Sequence, residues 1–110
     1  MPRTIDRETL KQKLDNNEDF KLIEVLMPKP FNQVHIKGAI NIPLNKIAKE
    51  SSERFNKNDE IVVYCADTQC KASPAAAEKL ETFGFTNVYD YEGGKKDWMD
   101  AGYPVEGTDV

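Results

Sequence analysis

Histidine occurs once and cysteine only twice in these 110 residues, and each scarcity closes off a class of chemistry. With His35, Cys65 and Cys70 as the whole supply, four zinc ligands at the usual spacing cannot be assembled. Two cysteines five residues apart are no disulfide framework either, because closing so small a loop stabilises little. Apolar runs of membrane-spanning length are missing, and the opening MPRTIDRETL lacks the apolar core of a secretory signal. The expectation is a cytoplasmic protein with no membrane partner. Basic excess is missing too: the formal net charge of −4 argues against a general nucleic-acid binder. No repeat, low-complexity tract or composition break marks a linker, so a single domain over 1–110 is expected. What is present is an ordinary globular balance, 39% hydrophobic and 31% charged residues, enough to build a core without staples.

The chain reads as alternating strands and helices. Ile5 ends a short strand, and Asp6 can N-cap a helix over Arg7 to Leu14 with Leu10 and Leu14 inward. Phe20 to Val25 reads as a strand, and Pro28 and Pro30 break the following stretch into a loop. Ala39 to Ile42 is a short strand closed by Pro43; Leu44 to Phe55 is a weaker helix. Ile61-Val62-Val63-Tyr64 is apolar at every position, as a strand buried on both faces of a parallel sheet should be. Ser73-Pro74 reads as a cap opening a helix to Phe83 that Gly84 stops; Val88 to Tyr91 is the next strand. Gly93-Gly94 turns into a last helix containing Trp98, ended by Gly102. This alternation predicts an α/β fold: a mostly parallel sheet of about five strands with helices on both faces.

Cys65 follows the most buried strand and precedes a helix, and ligands of open α/β sheets collect at the carboxyl ends of strands. The connecting run Ala66-Asp67-Thr68-Gln69-Cys70-Lys71-Ala72 is small and polar, able to turn its N–H groups inward as an anion nest. A helix N-terminus behind it adds partial positive charge, which would stabilise a thiolate at Cys65. Lys71 is the one full positive charge in this loop. Spacing alone leaves two readings open, an activated nucleophile or a buried inert thiol ending a core strand. Cys70 likewise reads either as a resolving thiol for Cys65 or as a small loop residue turned outward, the latter preferred.

Several segments in register then resemble the rhodanese family. Leu22-Ile23-Glu24-Val25 and the segment His35 to Pro43 (HIKGAINIP) are similar to that family's "LIDVR" and "HIPGAINIP". The strand ending in Cys65, the helix carrying Ala75-Ala76-Ala77 and Leu80, the GFTNVY segment from Gly84, and Glu92-Gly93-Gly94 with Trp98 resemble its second half. The likeness runs from about Ile5 to Val105. It implies sulfur transfer, in which Cys65 takes a sulfane sulfur from a small anionic donor such as thiosulfate and becomes a persulfide. A thiophilic acceptor then receives the sulfur: cyanide, a thiol or a protein. By the same resemblance Ala66, Asp67, Thr68, Gln69, Cys70 and Lys71 form the substrate cradle, and neither metal nor cofactor is called for.

Departures from the family's pattern bear on the activity. Cys70 stands where the loop's arginine is common, and Lys71, one step on, is a point charge without a bidentate fork. Asp67 brings negative charge into an anion site, Glu24 replaces an aspartate, and Leu26 stands where an arginine is common. These keep open a second reading, a weakly catalytic rhodanese fold used as a binding or regulatory module. A phosphatase or arsenate-reductase-like enzyme, from the count Cys-x5-Lys, ranks last for want of a cradle arginine. Of the rest, His35 reads as holding a turn, Glu24 as accepting from loop backbone, and Lys95-Lys96 as a solvated helix face. Trp98 with Tyr89 and Tyr91 reads as core and pocket wall, and Gly93-Gly94 as a close approach to the Cys65 loop.

Overall fold

The computed structural model describes residues 2–110. Strand β5 (Ile61–Tyr64) is the centre of the molecule, flanked by β2 (Lys21–Glu24) and β6 (Val88–Tyr91) in parallel register. The short strands β1 (Arg3–Thr4) and β4 (Ile40–Asn41) form the edges, giving the order β1-β6-β5-β2-β4, parallel throughout. The expected five-stranded parallel sheet with helices on both faces is therefore the one observed.

Period-two alternation along β5 sorts the core into two layers. Ile61 and Val63 face Ala76, Ala77 and Leu80 of helix α4 (Ala72–Thr82) and Ile47 of helix α3 (Ile47–Arg54), all buried. Val62 and Tyr64 face the other way, into a cluster with Leu10 of helix α1 (Arg7–Asp15) and Trp98 of helix α5 (Gly94–Asp100). Burying a Leu or Ile completely is worth roughly 1.5–3 kcal/mol, and the sheet collects that from both faces. Asp6 caps α1 as expected, its carboxylate accepting from the Thr9 N–H at 2.8 Å. Gly84 ends α4 with a φ of +94°, a conformation that glycine adopts without penalty.

Three local expectations are corrected. Pro28 and Pro30 do not prevent a helix: α2 (Pro28–Gln33) starts at Pro28, and both prolines lie in its first turn. No intrahelical N–H bond is needed there, so proline costs nothing. Helix α4 begins at Ala72, so Ser73 is a buried first-turn residue rather than the cap. The segment from Leu44 is a 3-10 turn (Leu44–Lys46) before α3 proper. One feature is additional, a small antiparallel ribbon of β3 (His35–Ile36) with β7 (Val105–Glu106).

Candidate active site

Cys65 is the first residue beyond β5, and it keeps the strand's alternation. Its side chain falls on the same face as Ile61 and Val63, toward α4, and is almost fully buried. The loop that follows is folded by Asp67. Its carboxylate accepts from the N–H groups of Gln69 (3.0 Å) and Cys70 (3.1 Å), and its carbonyl accepts again from Cys70 at 3.2 Å. This tight turn carries Cys70 back over Cys65, and the two sulfurs are joined as a disulfide with the Cα atoms 6.3 Å apart. The preferred expectation for Cys70, a side chain turned outward, is thus overturned: it is half-buried and packed against the core around Cys65.

The remaining loop residues lie along the rim. Ala66 and Asp67 are half-buried, whereas Thr68, Gln69 and Lys71 are exposed, with Lys71 at the N-cap position of α4. Two of the amides expected to face an anion, those of Gln69 and Cys70, are held by the protein's own carboxylate. A shallow depression beside the loop is lined by Ala66, Asp67, Lys95, Lys96, Met99 and Asp100.

Helix α5 pins the loop from the other side. The N–H groups of Lys95 and Lys96 donate to the carbonyls of Cys65 and Ala66, both at 2.9 Å. This approach needs glycine at position 94: its φ is +68°, and a Cβ there would sit 2.7 Å from the Cys65 carbonyl oxygen. The close approach read from Gly93-Gly94 is what the structure shows.

Lys95 is not on a solvated face, a correction to the expectation for that pair. It is buried, and its ammonium donates to Glu24 Oε2 (3.0 Å) and to the carbonyls of Val34 (2.7 Å) and Pro30 (3.2 Å). Lys96 does face solvent and pairs with Asp100. Glu24 is fully buried at the end of β2, with Lys95 as its partner rather than loop backbone. Burial pushes its carboxyl above the usual range, and Lys95 pulls against that shift. Beside it Tyr64, raised well above the ordinary phenol value mainly by burial, accepts from the Ile36 N–H at 3.1 Å. His35 stacks on Phe31 and bonds its carbonyl through Nδ1 at 2.8 Å, holding the β3 turn as expected. Trp98 is core, its indole N–H donating to Pro104 at 2.8 Å.

Asp90 escaped the sequence reading. It is buried in β6 opposite Val63, hydrogen-bonded to Ser73 in the first turn of α4, with Oδ1 lacking a partner. Burial raises its carboxyl above the usual range, against the hydrogen bond from Ser73. The available signal was its phase, since Asp90 shares a face of β6 with apolar Val88. Among the described residues no group of three or more His, Cys, Asp or Glu converges as metal ligands. No helix among them is long and apolar enough to cross a membrane.

A family model described as "Rhodanese-like domain" matches residues 6–101, most of the chain. This chain belongs to the rhodanese-like domain family. Among its relatives is the thiosulfate sulfurtransferase PspE of Escherichia coli, 38% identical over 68% of this rhodanese-like chain and 70% of that protein. YrkF of Bacillus subtilis is 33% identical over 86% of the chain, which spans about half of YrkF's length. The solution structure of a rhodanese-like domain from Anabaena sp. superposes with a TM-score of 0.89 at 29% identity. It covers 99% of this rhodanese-like chain and 82% of that one. Relatives such as PspE and a sulfurtransferase of Allochromatium vinosum, 30% identical over 96% of this chain, make the likeness sulfurtransferase-like at the level of the family.

Proposed function

We propose that the chain is a single-domain sulfurtransferase in which Cys65, once freed from Cys70, carries the sulfur as a persulfide. The observation that supports this most is the position of Cys65. It sits at the carboxyl end of the central strand, in a loop bounded by the N-termini of α4 and α5. Backbone N–H groups and helix dipole there favour a thiolate over a thiol. The thiolate attacks the sulfane sulfur of a donor such as thiosulfate, and sulfite leaves with the bonding electron pair. An acceptor nucleophile, cyanide or a thiol, then takes the outer sulfur, and Cys65 departs as thiolate. This is covalent catalysis divided into two displacements.

The substrate cradle in this reading is Ala66 to Lys71, and Asp67 limits it. Its carboxylate holds the Gln69 and Cys70 amides, so an oxyanion donor meets both a like charge and fewer free donors. Lys71, exposed at the rim, supplies the compensating point charge. The same observation supports the second reading, a weakly catalytic domain used as a binding module. It weighs further against phosphate-ester hydrolysis, which needs the cradle's amides and a planar fork.

Thiocyanate formation from thiosulfate and cyanide by the pre-reduced protein separates these readings. Turnover that Cys65→Ser abolishes and Cys70→Ser retains supports the transferase. Turnover unaffected by Cys65→Ser would refute it, and no turnover with thiosulfate or a low-molecular-weight persulfide favours the binding module.

A further inference from the structure

The loop contains a second sulfur in bonding position, and sulfur transfer to an external acceptor makes no use of it. Cys70 is one residue before the N-cap of α4, and the Asp67 turn holds its backbone through two acceptors, the carboxylate and the carbonyl. That turn is built from the loop's own hydrogen bonds, in addition to the sulfur–sulfur bond. The Cα separation of 6.3 Å lies within the range that disulfides adopt without backbone movement. These are the only two cysteines of the chain, so they form a closed dithiol couple with no internal competitor. Cys65 is almost fully buried whereas Cys70 is half-buried, which makes the Cys70 sulfur the one an external reductant meets.

We propose that the domain reduces sulfane sulfur to hydrosulfide, with Cys70 as the resolving thiol; this rests on the persulfide reading of Cys65. In the first step the Cys65 thiolate takes the outer sulfur of thiosulfate and sulfite leaves. In the second the Cys70 thiolate attacks Sγ of Cys65. The bond between Cys65 and the transferred sulfur breaks, and hydrosulfide leaves with its electron pair. The Cys70 proton passes to solvent or to the departing sulfide. Two cysteine sulfurs are oxidised to the disulfide and one sulfane sulfur is reduced by the same two electrons. Thiosulfate and two thiols thus give sulfite, hydrogen sulfide and one disulfide. An external dithiol closes the cycle: one thiol attacks Sγ of Cys70, Cys65 leaves as thiolate, and the second thiol resolves the mixed disulfide. The outcome for the persulfide is then a competition between an acceptor at the outer sulfur and Cys70 at the inner one.

The test is a single turnover under anaerobic conditions. Protein is reduced, freed of reductant and mixed with one equivalent of thiosulfate without an acceptor; sulfite, sulfide and intact mass are followed. A parallel set uses glutathione persulfide as donor. Wild type is expected to release sulfide and end as the disulfide, while Cys70→Ser and Cys70→Ala keep the added sulfur. The persulfide should live at least about tenfold longer in these variants, since an adjacent thiol competes at high effective concentration. Wild type that holds its persulfide as long as the Cys70 variants, with no sulfide released, would overturn the proposal and leave the transferase reading standing. No added sulfur in wild type or variants, and no sulfide, from either donor would overturn both. The wild-type readouts decide even if a variant fails to fold, because sulfide release and disulfide formation are measured on the native chain.

Discussion

Replacing Lys95 by Met removes the charge that ties the end of β2 to helix α2 and the residue that closes it, while keeping most of the stem's volume. Its ammonium makes three hydrogen bonds, to Glu24 and to the Pro30 and Val34 carbonyls, and Glu24 Oε1 already lacks a partner. Glu24 is fully buried, so Lys95→Met leaves a carboxylate without its counter-ion in a low-dielectric site. Breaking a buried pair in this way costs about 3–5 kcal/mol, a large share of the roughly 5–15 kcal/mol that stabilises a domain. At several degrees per kcal/mol for a chain of this size, the midpoint should fall on the order of 15 °C. The assay is thermal and urea unfolding of wild type, Lys95→Met, Glu24→Met and the double variant in one fixed redox state. The double variant should recover most of the loss, because replacing both partners by apolar side chains is close to neutral. The pH dependence follows from Glu24. Its folded-state pKa is raised, and removing Lys95 raises it further, so the folded state binds the proton more tightly than the unfolded chain. Stability lost at neutral pH is therefore regained as pH falls through the carboxylate range, and the deficit of Lys95→Met should shrink toward pH 4. A loss under about 1 kcal/mol, or a double variant whose loss is the sum of the singles, would refute this reasoning.

Gly94→Ala should destabilise the fold by about 2–5 kcal/mol, combining the left-handed backbone cost with overpacking against the Cys65 carbonyl. Residual folded protein should show reduced sulfur transfer, measured as thiocyanate formation. Asp67→Asn keeps the turn and removes a charge beside the donor; KM for thiosulfate should fall roughly fivefold at low salt, for about 1 kcal/mol of relieved repulsion, and less at high salt. Asp90 has a raised folded-state pKa, so its ionisation destabilises the fold as pH rises above the unfolded carboxylate value. Asp90→Asn should accordingly raise the unfolding temperature at pH 7 and make little difference near pH 3.

Much of the fold was legible because it rests on local rules. Ile61 to Tyr64 is apolar on both faces, and only a central parallel strand requires that. Asp6 stands directly before an apolar periodicity, and its side chain caps α1 as such a residue should. Cys65 was legible as the residue where that strand ends, and Gly94 as a point of close approach. The misreadings come from tertiary context. Proline breaks the interior of a helix, but Pro28 and Pro30 lie in the first turn of α2, where it is harmless. Ser73 looked like a cap, but its hydroxyl serves buried Asp90 from within the helix. Lys95 and Lys96 are identical in sequence and about 100° apart on a helix, so one is buried and one solvated for reasons held in β2 and α2. Glu24 shares a face of β2 with Leu22, which signals burial without naming the partner. Cys70 depended on Asp67: a carboxylate read as an obstacle to anions is also the hinge that brings the second sulfur inward.

The most direct test of the central claim is the intact mass and peptide map of the reduced protein after brief exposure to a sulfane donor and rapid quenching. A gain of one sulfur atom, mapped to Cys65, removed by cyanide and absent in Cys65→Ser, is the result expected. An added sulfur located elsewhere, or none with thiosulfate or a persulfide donor in the Cys70→Ser variant, would contradict it.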